Sequence, residues 1–168
     1  MKKLLLYLLI LLILLLITSC TEQQRVNNKE KLLDQYVAVW NGDSLYKLDK
    51  ITNPGFQLRM VPDFESRTGI ENLKKEIIQT RTYFPDFFLK ETEKYFAGDS
   101  TMIICWTVSG TFKNRTNMSG KTGMVNLPGY SVVFFNNDKI SGEWIAYSDL
   151  TWYKQLGFTL MPPGEKEK

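Results

Sequence analysis

The chain has 168 residues, with 21 Lys and Arg against 18 Asp and Glu, a formal charge of +3, and no histidine. The missing histidine excludes Ser-His-Asp and Cys-His catalysis and removes the commonest transition-metal ligand. No metal site is expected, and no cofactor. Two of the cations, Lys2 and Lys3, precede the fold; without them the charge is +1, and nucleic acid has no electrostatic footprint to bind.

From Leu4 to Ile17 every residue is apolar, a run of 14. As a helix it spans about 21 Å, short of the roughly 30 Å hydrocarbon core of a bilayer. A basic start, a short apolar stretch and then small residues are the layout of a secretory signal. Leu16-Ile17-Thr18-Ser19-Cys20 resembles the lipobox of bacterial lipoproteins, in which cleavage falls just before the cysteine. That resemblance implies a signal peptide over 1–19, lipidation of Cys20, and an anchor in the membrane of a bacterial cell envelope. Thr21 in place of Asp resembles lipoproteins sent to an outer membrane, where the cell has one. The bland alternative is an uncleaved anchor helix with an incidental cysteine.

The 149 residues that follow the leader suit one domain. Residues 20–28 are polar and aperiodic and are read as a lipidated tether. From Lys29 the pattern is helical, with Leu32, Leu33, Tyr36, Val37, Val39 and Trp40 on one broad face. Asn41-Gly42-Asp43 stops that helix, and a short second one carries Leu45, Leu48 and Ile51. Asn53-Pro54-Gly55 predicts a turn and Phe56 to Val61 a short strand. A third helix opens near Gly69, buries Ile70, Leu73, Ile77 and Ile78, and ends by Pro85.

After Pro85 the period becomes two. Phe87–Phe96, Thr101–Phe112, Gly123–Phe135 and Lys139–Asp149 read as strands, with turns at Gly98-Asp99 and Asn136-Asn137-Asp138. Met102, Ile104, Trp106 and Val108 share one face of the second of these. Leu127-Pro128-Gly129 predicts a bulge or bend. Cys105, in an apolar run, reads as a buried and inert thiol. Lys113 to Lys121, with two Asn-x-Ser/Thr sequons, reads as a solvated loop. Trp152 to Leu156 predicts a last helical turn before Gly157, and 161–168 a disordered tail. Helices followed by a run of antiparallel strands mean an α+β domain over 29–160, a curved antiparallel sheet wrapped over helices with a cavity between the layers.

The order of these landmarks resembles the SnoaL-like polyketide cyclase family, within the nuclear transport factor 2-like superfamily. The resemblance rests on Trp40-Asn41-Gly42-Asp43, on Gly69, on Phe84-Pro85-Asp86-Phe87 and on Gly98-Asp99. It continues through Gly110-Thr111, Gly123, Lys139-Ile140 ahead of Trp144, and Asp149 leading to Gln155-Leu156-Gly157. It implies a cone-shaped α+β roll with an apolar pocket at the open end. In cyclase members an aspartate on the last strand is the acid/base of an aldol ring closure, and the matching position is Asp149.

A carboxylate in an aromatic pocket is poorly solvated, which lifts its pKa toward neutrality, and Tyr147 on the same face could hydrogen-bond an enolate. The structural alternative for Asp149 is a cap on the turn at Thr151-Trp152. Trp106, Tyr130 and Trp144 are the expected ligand-binding aromatics. Glu143 shares the parity of Tyr147 and Asp149, but is read as a solvent-facing residue of the outer sheet face. Asp86 reads as a turn residue.

The leading expectation is a lipid-anchored envelope protein that binds a small apolar molecule. The alternatives are a cofactor-independent cyclase or isomerase using Asp149, and a module that dimerises or docks a partner through the sheet.

Overall fold

The structure is a computed structural model that describes residues 23–61, 65–113, 123–159 and 161. The leader, Cys20, both sequons and the segment 162–168 lie outside the described residues.

Helix α1 runs over residues 23–40, so the tether is already helical from 23. Gln23 and Gln24 donate to Asn27 and Asn28 one turn on, which supports a helix that hydrophobic periodicity does not reveal. Its apolar stripe is the expected one: Leu33, Tyr36, Val39 and Trp40 are buried. Asn41 then leaves the helix and clamps a strand. Its amide donates to the Leu89 carbonyl at 2.8 Å and accepts from the Leu89 N–H at 2.7 Å, as a neighbouring strand would. A 3-10 turn, Leu45–Lys47, passes into the short α2, Leu48–Ile51.

β1 covers Thr52–Met60 and β2 is the two-residue Arg67–Thr68. The predicted Asn53-Pro54-Gly55 turn is therefore part of β1, expressed as a register irregularity between Thr52 and Gln57. α3, Ile70–Tyr83, buries Leu73 and Ile77, whereas Ile78 is exposed. β3 (Phe88–Phe96), β4 (Thr101–Thr111), β5 (Met124–Asn136) and β6 (Lys139–Tyr147) follow, and α4, Asp149–Gln155, ends the domain. Asn137 and Asp138 both have positive φ, as a two-residue hairpin between β5 and β6 requires.

The six strands form one sheet in the order β2-β1-β6-β5-β4-β3. Every neighbouring pair is antiparallel except β1 with β6, which run parallel. On the inner face of β4, Met102, Ile104, Trp106 and Val108 are buried, the alternation expected. Each large aliphatic side chain buried there contributes about 1.5–3 kcal/mol from apolar area removed from water. Cys105 faces the other way and is half-buried rather than buried.

The bulges fall elsewhere than at Pro128. Pairing of β4 with β5 is unbroken from Thr101↔Phe134 to Thr111↔Met124. Pro128 lies before the first β5–β6 pair, Gly129↔Tyr147, so β6 offers no ladder there for a missing N–H to break. The register shifts instead between Glu91 and Glu93 in β3, and between Phe134 and Phe135 opposite β6. The second leaves Ser141 as an extra residue, because Phe134 pairs with Gly142 and Phe135 with Ile140. Such insertions increase local twist and curl the sheet over the helices.

Candidate functional site

Between the sheet and the helices lies a cavity of about 220 Å³. Trp40 closes it from the end of α1, and Tyr83, Phe84 and Phe87 from α3 and the turn that follows. Trp106 and Tyr147 line the sheet side, and Trp152 comes from α4. The rings pack on one another, with Phe84–Trp152 centroids 5.1 Å apart, Tyr147–Trp152 5.9 Å and Trp40–Phe87 6.1 Å. Aliphatic contacts from Leu89, Val108, Leu127 and Ile145 complete the wall.

The position of Trp106 depends on a glycine. Gly129 sits opposite it across the β4–β5 ladder, and a Cβ built there would meet the indole at 2.2 Å. A hydrogen at that position lets the ring lie against the strand. The indole Nε1–H then donates to Ser131 Oγ at 2.9 Å.

Ser131 leads to the acidic centre of the site. Glu143 on β6 is only 3% exposed and accepts hydrogen bonds from the Ser131 hydroxyl and from Tyr36 Oη, the latter at 2.6 Å. An indole can only donate, so the Ser131 oxygen receives one proton and passes its own toward the carboxylate. Trp106, Ser131, Glu143 and Tyr36 thus form one hydrogen-bonded network across β4, β5, β6 and α1, in which two donor paths converge on the Glu143 carboxylate. Burial lifts the Glu143 pKa above the usual carboxylate range, and its two hydrogen bonds draw it partly back. Burial and the neighbouring Glu143 push the Tyr36 phenol well above its ordinary value.

Glu143 was expected on the outer face, and its position is a correction. Ile140 and Glu143 are both buried although three residues apart, because Ser141 is inserted between them. The bulge does reset the parity of β6, in the direction that turns Glu143 inward. The signal in the sequence is that Glu143 shares its parity with Ile145 and Tyr147, which face the cavity. The bulge that decides its face has no signature of its own.

The expected site residues separate into two groups. Trp106 and Tyr147 come together in the cavity wall. Asp149 does not: it is exposed in the first turn of α4 and does not line the cavity. The cap of that helix is Ser148, whose hydroxyl accepts from the Thr151 N–H, so β6 ends at Tyr147 before Asp149 can point inward. Tyr130 and Trp144 also lie outside, 49% and 41% exposed on the outer face. Arg59 stacks its guanidinium 5.1 Å from the Trp144 ring centre, and Phe134 packs edge-on at 5.2 Å. An open hollow of about 500 Å³ beside Trp144 is lined by Asn53, Gln57, Asn136 and Ser141. Asp86 is more than a turn residue: its carboxylate accepts from the Thr111 N–H and hydroxyl, which hold its pKa low and tie the α3–β3 turn to β4.

Among the described residues no three His, Cys, Asp or Glu side chains gather as metal ligands, and no helix is long and apolar enough to cross a membrane.

A curved sheet over helices, open onto an aromatic cavity with a buried carboxyl, is the architecture of the nuclear transport factor 2-like fold. Residues 30–156 match the family model of the SnoaL-like polyketide cyclases, and the chain belongs to that family. Among solved structures it is similar to a candidate polyketide cyclase from Acidithiobacillus ferrooxidans, at 21% identity over 77% of this chain and 94% of that one, with a TM-score of 0.63. A candidate SnoaL-like polyketide cyclase from Jannaschia sp. is 14% identical over 82% of this chain and 94% of its own, with a TM-score of 0.67. A protein with a ketosteroid isomerase-like fold from Catenulispora acidiphila, in complex with trimethylamine, is 18% identical over 78% and 97%, with a TM-score of 0.64. At these identities the likeness is one of fold. No curated protein sequence matches the chain.

Proposed function

We propose that this protein is a lipid-anchored component of a bacterial cell envelope whose domain binds a small, largely apolar molecule between its sheet and helices. The observation that carries the binding is the cavity: about 220 Å³ walled by aromatic and aliphatic side chains, with few polar groups converging on it. The anchor is supported by the lipobox-like Leu16 to Cys20, with a polar stretch between that cysteine and the domain. Native mass spectrometry of the protein purified without denaturation from its own cells tests the binding. A bound mass lost in Leu127→Trp, which fills the cavity, is the expected result. A ligand-free spectrum, with no small molecule from the cell extract retained, overturns it. Palmitate labelling lost in Cys20→Ala tests the anchor separately.

A second reading is favoured by Glu143. A buried carboxyl with a raised pKa at the wall of an apolar cavity suits proton transfer on a carbon acid, the step a cyclase or isomerase needs. Glu143 replaces Asp149 as the acid/base in this reading, with Tyr36 and Ser131 holding its orientation. Solvent deuterium incorporation alpha to the carbonyl of bound ketones, abolished in Glu143→Gln, is the outcome that supports it; exchange unchanged in that variant sinks it.

The outer face, where Tyr95, Tyr130 and Trp144 are exposed, is where a second copy of the chain would pack. Sedimentation of the chain, with Tyr130→Glu as the disrupting variant, decides between monomer and sheet-to-sheet dimer.

A further inference from the structure

The cavity wall contains two carboxyls and no lysine or arginine. Glu76, on α3, is already paired with Arg67 from β2. Glu143 is different: no ion pair among the described residues includes it. The groups that meet it, Tyr36 and Ser131, are neutral donors that favour its charged form without supplying a counter-charge.

This arrangement selects among ligands by charge. A neutral molecule sealing the cavity would leave the Glu143 carboxylate with its two neutral donors but no counter-charge, or favour its protonation. An anion would add repulsion from the Glu143 carboxylate. A cation would supply the missing counter-charge, and aromatic rings around a cavity attract cations through their quadrupoles. Seven rings line this one, from Trp40, Tyr83, Phe84, Phe87, Trp106, Tyr147 and Trp152. The volume of about 220 Å³ corresponds to about seven waters at ~30 Å³ each, so the ligand is compact.

We propose that the cavity takes a small organic cation, an ammonium group bearing apolar substituents, with its charge set against the Glu143 carboxylate and its substituents against the aromatic wall. The proposal rests on the binding reading above and names the ligand class for the same cavity. It separates this site from one built for acidic compounds, which would call for a cation in the wall.

Two soluble probes of one shape test it: choline and its neutral carbon isostere, 3,3-dimethylbutan-1-ol, titrated calorimetrically into the full chain in detergent. Choline is expected to bind at least about tenfold more tightly, the order of a desolvated cation–π and charge contact. In Glu143→Gln the ratio is expected to fall to about twofold or less, the isostere's own affinity being little changed. Equal affinities, or tighter binding of the isostere, overturn the ligand class and leave the binding reading standing. Binding of neither probe at millimolar concentration also overturns it, and the native mass spectrum then decides the binding reading by itself. If Glu143→Gln does not fold, the ratio in the unaltered chain is decisive.

Discussion

The phenol of Tyr36 on α1 donates to Oε2 of Glu143 on β6 at 2.6 Å, across 107 positions of sequence. The contact joins the first helix to the last strand and holds the only described carboxyl that is buried in the core. Both groups are unfavourable there alone: a phenol and a carboxylate each lose their water. Together, and with Ser131, no buried side-chain nitrogen or oxygen among the described residues is left without a partner.

Tyr36→Phe removes one donor from a buried carboxyl and keeps the ring packed on Phe56 and Trp40. The expected cost is about 1–3 kcal/mol of stability in urea unfolding. Because that hydrogen bond favours the charged form, the Glu143 pKa is expected to rise further in the variant, read from its carboxyl carbon by NMR. Unchanged stability together with an unchanged titration would show that the two groups are not coupled.

Stability should depend on pH through Glu143 with an unusual sign for an acid. Burial raises its folded pKa above the unfolded value of about 4.3, so the native state holds more protons than the unfolded chain between the two. Its contribution to stability is therefore full below that unfolded value, falls as pH rises through the window, and is flat above the folded pKa. Glu143→Gln abolishes the titration. The Tm difference, variant minus wild type, is expected to move in the variant's favour between pH 4 and pH 8. Parallel Tm curves for the two proteins would sink this account.

Gly129→Ala places a Cβ where the Trp106 ring now lies, 2.2 Å from its nearest carbon. The indole has to move, breaking its hydrogen bond to Ser131 and changing the cavity wall. Overpacking of this kind costs about 1–3 kcal/mol. Thermal unfolding should register that loss, with a change in tryptophan emission; a variant of wild-type stability and spectrum would mean that the ring is not confined by the strand.

Asp149→Asn should matter little. The side chain is exposed in the first turn of α4, where its charge interacts favourably with the helix dipole. Its loss is worth about 0.3–1 kcal/mol at low ionic strength and less in salt. Ligand binding and any proton transfer should be unchanged, because Asp149 does not line the cavity. A loss of either function in this variant, with the fold intact, would restore Asp149 to the site.

Much of the architecture is legible from local pattern. The stripe Leu33, Tyr36, Val39 and Trp40, the alternation of Met102, Ile104, Trp106 and Val108, and the turn residues after Pro85 each reflect a periodicity that burial imposes directly on the chain. The order of those elements was enough to point to the family. The helical stretch at 23–28 was not legible, because it is held by amide pairs and has no buried face.

The site was only half legible, and the boundary falls at β6. Trp106 could be placed because β4 keeps its register through the strand. Tyr130 and Trp144 could not, since aromatic residues suit either face of a sheet. For Glu143 the face depends on one inserted residue, Ser141, and a one-residue slip turns every later side chain over. The structure places β1 close beside this stretch: a Cβ on Gly142 would come within 2.9 Å of the Gln57 carbonyl.

Composition alone removes histidine from any proton transfer and leaves carboxylates and phenols as candidates, and the order of the elements places helices over one face of a curved sheet. Which carboxyl stands in the cavity is a matter of tertiary structure. Local composition governs which element forms, whereas the identity of an inward-facing residue depends on register between strands far apart in the chain. Here that register buried Glu143 beside Tyr36, and the start of α4 at Ser148 kept Asp149 out of the pocket.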